Sequence, residues 1–221
     1  ELRTYQPQQG SVDDTLFGQG SRVVLFRDVW QYDFAFTGLR QTRLTIGGPD
    51  GSVSQRNVWY IVYRVRDTGQ SLTYDEVKQN PEFDLVTHNL KRGEEIPRDQ
   101  RYFLPRFSLE GSVYDGEKKQ YQRLSYRDTI DPVALKQIQK LEDPGQVLLD
   151  PVQMSEAMIP RVKPESEAGL WGVAIFQNVD PDIDFVSVFV SGLTNAYRIA
   201  GNDDDVSFKY KTLQLNFWRP G

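Results

Sequence analysis

Trp59-Tyr60-Ile61-Val62-Tyr63-Arg64-Val65-Arg66, closed by Asp67-Thr68-Gly69, is the stretch that decides the fold class. Trp59, Ile61, Tyr63 and Val65 share one face of a two-residue repeat, and Tyr60, Val62, Arg64 and Arg66 share the other. This pattern predicts a β-strand with one buried face and one wet face ending in arginines. Asp67-Thr68-Gly69 supplies the turn that closes it.

The same alternation recurs on both sides. Upstream, Val24, Phe26, Trp30, Tyr32, Phe34 and Phe36 occupy even positions, interrupted by Asp28, which predicts one long strand or two joined at a bulge near Asp28. Gly47-Gly48-Pro49-Asp50-Gly51 is a turn cluster. Downstream, Phe103, Phe107 and Leu109 share a face, with Pro105 marking an edge strand or its kinked start. Tyr114-Asp115-Gly116-Glu117 predicts a hairpin whose return strand runs from Gln120 to Tyr126. Trp171, Val173 and Ile175 alternate, and Phe185 to Val190 is apolar on both faces, as a central sandwich strand would be. Phe208 and Tyr210 lie on even positions, but Leu213, Leu215 and Phe217 lie on odd ones. This parity switch near Thr212 predicts a bulge or a change of sheet.

Helix signals are few. Asp131 as N-cap, Pro132 at the first helical position, and Ala134, Ile138 and Leu141 along one face predict a helix that stops at Pro144-Gly145. A second short helix is expected over Tyr74 to Lys78, and the segment from Gly145 to Ala168 is expected to wrap the outside. Together these readings give an all-β chain, an immunoglobulin-like β-sandwich with one short inserted helix. Residues 1–20 read as a flexible polar leader and residues 21–221 as a single β-sandwich domain.

Composition removes several chemistries. The chain has 221 residues, no cysteine and one histidine, His88, so disulfides, thiolate-held metals and multi-histidine metal sites are excluded within one chain. With 31 acidic against 26 basic residues and a formal charge of -5, nucleic acid is not an expected partner. No apolar run approaches the ~20 residues of a membrane span, so no transmembrane segment is expected. Glu1 is not a start methionine. The polar leader is therefore expected to follow a removed export or anchor segment, placing the protein outside the cytoplasm as a periplasmic, secreted or membrane-anchored chain.

The candidate sites are few. Asp180, Asp182 and Asp184, with Asp203 and Asp205, offer hard oxygen ligands that calcium could use, and calcium is the one cofactor considered. The alternative reading makes both clusters solvated turns. His88 has no sequence-adjacent carboxylate to orient it, and Glu94, Glu95, Glu165 and Glu167 lie in charged loops. No glycine pattern forms a phosphate cradle. Tyr60, Arg64 and Arg66 form an aromatic-basic outer face and are the candidate interaction residues. The strand tryptophans Trp30, Trp59, Trp171 and Trp218 are expected to fill the core.

Two resemblances follow from these motifs. Tyr60 to Gly69, Phe107-Ser108-Leu109 with Asp115-Gly116, Gly169-Leu170-Trp171-Gly172-Val173-Ala174 and Val186 to Val190 resemble the telokin-like, immunoglobulin-like extracytoplasmic lipoprotein domains. The C-terminal half resembles an uncharacterised family of planctomycete-type bacterial proteins, through Leu170-Trp171-Gly172-Val173-Ala174, Val179-Asp180-Pro181, Ser191 to Tyr197 and Lys211 to Leu215. Both resemblances imply a sandwich fold and an extracytoplasmic setting, and neither carries catalytic residues.

The functional expectation is a non-catalytic extracytoplasmic interaction module rather than an enzyme, with a protein or glycan partner in the cell envelope. The alternative is a carbohydrate-binding or calcium-assisted ligand-binding sandwich. Exposed aromatics along one sheet would favour sugar binding, and four buried tryptophans would weaken it.

Overall fold

The computed structural model describes residues 3–4, 29–47, 52–69, 71–80, 85–92, 101–142, 144–183, 185–200 and 207–218. The fold is all-β with antiparallel strand pairing and two short helices. Its centre is β5 (Val53–Arg66), whose residues 58 to 65 are all buried. On one edge β5 pairs with β10 (Leu170–Gln177). The other edge is shared by β3 (Asp33–Phe36) and β4 (Arg40–Gly47). β1 (Arg3–Thr4) extends this first sheet beside β3.

Three residues, Thr37 to Leu39, separate β3 from β4, one more than the ladder on β5 needs. Phe36 lies opposite Tyr63 and Arg40 opposite Tyr60, so three residues on one line face two on β5. This is a β-bulge. Thr37 fills it: its N–H donates to the Val62 carbonyl (2.8 Å), and its hydroxyl accepts from the Val62 N–H (3.1 Å).

The second sheet runs in the order β14 (Leu213–Trp218), β11 (Phe185–Ser191), β8 (Arg106–Asp115), β9 (Gln120–Arg127). Its inner face packs on the first sheet through aromatic contacts. Phe107 lies 4.9 Å from Tyr63 and 6.3 Å from Phe34 between ring centroids, and Phe217 meets Phe36 edge-on. Fully buried Tyr63 lies across from Gly172, where a Cβ would come within 2.5 Å of the tyrosine ring, so only glycine lets the ring settle there.

The opposite face of β5 is also covered. Helix α1 (Pro132–Glu142) buries Ala134 and Ile138 against Val58, Tyr60 and Val62, with Leu44, Val173 and Ile175 beside them. The order is thus helix, sheet, sheet, with two separate cores sharing β5 and β10. Two smaller units complete the described chain: β2 (Val29–Trp30), β6 (Ser71–Asn80) and β7 (Leu85–Arg92) form one sheet, and β12 (Tyr197–Ala200) pairs with β13 (Ser207–Tyr210).

Several expectations hold. Asp131 caps α1 by accepting from Val133 N–H and Ala134 N–H at 3.0 Å each. The β8–β9 hairpin turns at residues 116–119, where the Asp115 carboxylate accepts from Glu117 and Lys118 N–H groups. The turn after β5 is an Asx turn, Gly69 N–H to Asp67 Oδ1 at 2.8 Å, with Gly69 at a φ of 76°. The parity switch near Thr212 is a change of sheet, because β13 pairs with β12 whereas β14 pairs with β11.

Others are corrected. Tyr74 to Lys78 belong to strand β6, where the β7 ladder overrides the local helix formers. The segment from Gly145 to Ala168 does not only wrap the outside. It carries a second helix, α2 (Pro151–Glu156), capped by an Asp150–Gln153 capping box, and fully buries Met154 and Ile159. Its Leu149 pairs in parallel with Gly172, so it also covers the outer edge of β10. Leu141, expected on the buried helix face, is 58 % exposed, and Leu135 packs inward instead. Asp28 and residues 48–51, where a bulge and a turn are expected, lie outside the described residues, as does most of the 1–20 leader.

Candidate functional site

The outer face of the second sheet stays open. Along β11 the inward positions are Val186, Val188 and Val190, so Phe185, Ser187, Phe189 and Ser191 point the other way. On β14 the outward set is Gln214, Asn216 and Trp218. Phe185 is 70 % exposed and Trp218 66 %. They are direct cross-strand partners, and their rings lie nearly parallel, at 16° and 6.4 Å between centroids.

Beside this pair lies a polar centre. Ser187 Oγ donates to Asn216 Oδ1 at 2.8 Å, and Gln214 Nε2 donates to Asn216 Oδ1 (2.9 Å) and reaches Ser187 Oγ (3.2 Å). The cluster fixes two amide groups on the sheet surface. Glu110 on β8 pairs with Arg123 on β9, and further out Tyr114 and Tyr121 meet edge-on at 5.3 Å. Phe185, Ser187, Gln214, Asn216, Glu110 and Arg123 are among the residues lining a shallow concavity of about 430 Å³. At the opposite end of the face stand Arg106 and Arg127, both exposed and with no ion pair among the described residues.

The sequence pattern points to a different face, that of Tyr60, Arg64 and Arg66. The structure corrects the wet-face expectation, because α1 and the chain around Glu167 cover that side of β5. Tyr60 is 3 % exposed, and its hydroxyl donates to Glu142 Oε1 at 2.6 Å, with Arg40 paired to the same carboxylate. Burial, reinforced by Glu142, pushes the Tyr60 hydroxyl well above its ordinary pKa, so it remains a donor. Arg64 is buried, pairs with Glu167 and lies over the Trp171 ring at 5.9 Å. Its guanidinium holds the Glu167 carboxyl below the usual range. Arg66 pairs with Asp33 at 3.2 Å and donates to the Ser166 carbonyl. Each of the three side chains thus finds a distant partner, although Arg64 Nε is buried without a hydrogen bond among the described residues.

The tryptophans divide as well. Trp59 is buried, and Trp30 and Trp171 pack against the cores, whereas Trp218 lies on the open face and departs from the core expectation. The second face of β11, expected to be covered, is this same open surface.

Of the calcium candidates, Asp180 and Asp182 form a turn in which Asp182 N–H donates to Asp180 Oδ1 at 2.9 Å. Asp184, Asp203 and Asp205 lie outside the described residues. Among the described residues no group of three or more His, Asp or Glu side chains gathers as a metal site would require. His88 stands opposite Glu76 in the β6–β7 ladder, a neighbour that sequence distance concealed.

The site class is therefore an exposed aromatic and amide face on an antiparallel sheet. No family model matches the chain, and no curated protein or solved structure matches it either. Among the described residues, no helix is long and apolar enough to cross a membrane. The signal for this face was present in the sequence. Phe-Ser-Phe-Ser at positions 185, 187, 189 and 191, with Gln-Asn-Trp at 214, 216 and 218, mixes rings with hydroxyls and amides on one side of two strands.

Proposed function

We propose that this chain is a non-catalytic interaction module that works outside the cytoplasm, an immunoglobulin-like sandwich that binds a component of the cell envelope. Its binding surface is the outer face of the second sheet. The observation that carries this reading is the Phe185–Trp218 pair, two large exposed rings held side by side on the open sheet face. Burying such rings against a partner is favourable by roughly 25 cal/mol per Å². Keeping them exposed has no benefit to the isolated fold, because neither supports either core.

Cosedimentation with isolated bacterial envelopes tests the proposal. The wild-type chain is expected in the pellet, and the doubly substituted Phe185→Ala, Trp218→Ala chain in the supernatant at an unchanged melting temperature. Equal pelleting of the two, or no pelleting of the wild type, would overturn it.

A further inference from the structure

The proposed binding face has a chemical direction along its strands, and that direction points to one class of ligand. At one end stand the rings of Phe185, Trp218, Tyr114 and Tyr121; in the middle lie Ser187, Gln214 and Asn216 with the Phe189 ring; at the other end lie Arg106 and Arg127. From Arg106, opposite Ser191, to Gly111, opposite Val186, the ladder runs without interruption. At about 3.3 Å per residue the face is therefore roughly 20 Å long, an extended track rather than a pocket.

Its charge is the reverse of the chain's. The outward positions of the four strands hold Arg106, Arg123 and Arg127 against Glu110 alone, whereas the chain as a whole carries -5. Glu110 is neutralised by Arg123, and the two remaining guanidinium groups have no ion pair among the described residues. A forked guanidinium matches a carboxylate or a sulfate in two hydrogen bonds.

We infer that the ligand is an anionic polysaccharide chain lying along the strands, a reading that rests on the binding face proposed above. Sugar rings pack their C–H faces on Phe185 and Trp218. Hydroxyls exchange hydrogen bonds with the amides of Gln214 and Asn216, of which Oε1 and Nδ2 make none within the described residues. The carboxylate or sulfate substituents meet Arg106 and Arg127.

Calorimetric titration with polygalacturonate, dextran sulfate and uncharged dextran tests this. Binding is expected to at least one of the two anionic polymers, weakening as salt rises, and not to dextran; which polymer binds separates carboxylate from sulfate recognition. The Arg106→Gln, Arg127→Gln chain and the Phe185→Ala, Trp218→Ala chain should each bind about tenfold more weakly, with melting temperatures unchanged. Binding to neither anionic polymer overturns the inference. So does loss in the arginine variant alone, which would show ion exchange without ring contact, or equal affinity for dextran. Periodate-treated envelopes separate the two proposals. If these still bind the wild type but not the aromatic variant, the face binds a protein and only the polysaccharide reading fails. If the wild type binds neither envelopes nor polymers, both fail.

Discussion

Tyr60 and Tyr63 lie three residues apart on β5 and point into opposite cores. The Tyr60 hydroxyl donates to Glu142, whereas the Tyr63 hydroxyl is buried with no hydrogen-bond partner among the described residues, its ring held among Phe34, Phe103 and Phe107. Burial raises the pKa of both, so neither ionises near neutral pH. Removing each hydroxyl should therefore give results of opposite sign. Tyr60→Phe strands a shielded carboxylate oxygen and should cost about 1 kcal/mol. Tyr63→Phe keeps the ring and removes an unsatisfied polar group, so it should be neutral or stabilising by up to about 1 kcal/mol. Urea unfolding of the two variants measures this, and a clear loss in Tyr63→Phe would show that its hydroxyl has a partner. The two-residue repeat revealed which tyrosine faces which way. It could not reveal that both sides are covered, because the cover on the Tyr60 side comes from Glu142 and α1, more than sixty positions later.

Among elements, the line formed by β3 and β4 depends on one hydroxyl. Thr37 replaces the ladder partner that the bulge removes from Val62. Thr37→Val preserves shape and β-propensity but leaves a buried N–H unpaired, at an expected cost of about 1–3 kcal/mol by chemical denaturation. A change below a few tenths would mean that the backbone closes the bulge unaided. Elements whose signals are local were legible in advance: the Asp131 cap, the Asp115-Gly116 hairpin and the sheet change near Thr212 each depend on residues within a few positions. β6 was not, since Glu76 and Lys78 are good helix formers and only the partner strand β7 makes them extended. Sequence also marked β11 as central but not its outer face as open, because whether a third layer covers a sheet is decided by topology. The aromatic-basic pattern of Tyr60, Arg64 and Arg66 is legible locally, but its cover is not, because α1 and the chain around Glu167 lie far away in sequence.

At the scale of the molecule, β5 and β10 each contribute to both cores, so the helix–sheet and sheet–sheet layers are expected to unfold together. Tryptophan fluorescence, with Trp59 in one core and Trp171 at the other, and far-ultraviolet circular dichroism should give coincident transitions. Transitions that do not coincide would show that the two layers unfold separately. The pairing of these two strands also bears on how the chain reaches its fold. β5 finds β4 through a hairpin, yet its register with β10 joins residue 65 to residue 170, about a hundred positions away. Closing such a loop is slow in entropy terms, which places this fold among those that form in milliseconds to seconds rather than microseconds. Until β10 arrives, Ile61, Val62 and Tyr63 form an apolar strand with one open edge, the arrangement through which nascent chains stick to one another. A chain emerging from its N-terminus must wait for residues 170–177 before that edge is closed, so holding by a chaperone during synthesis would protect it at the point of greatest exposure.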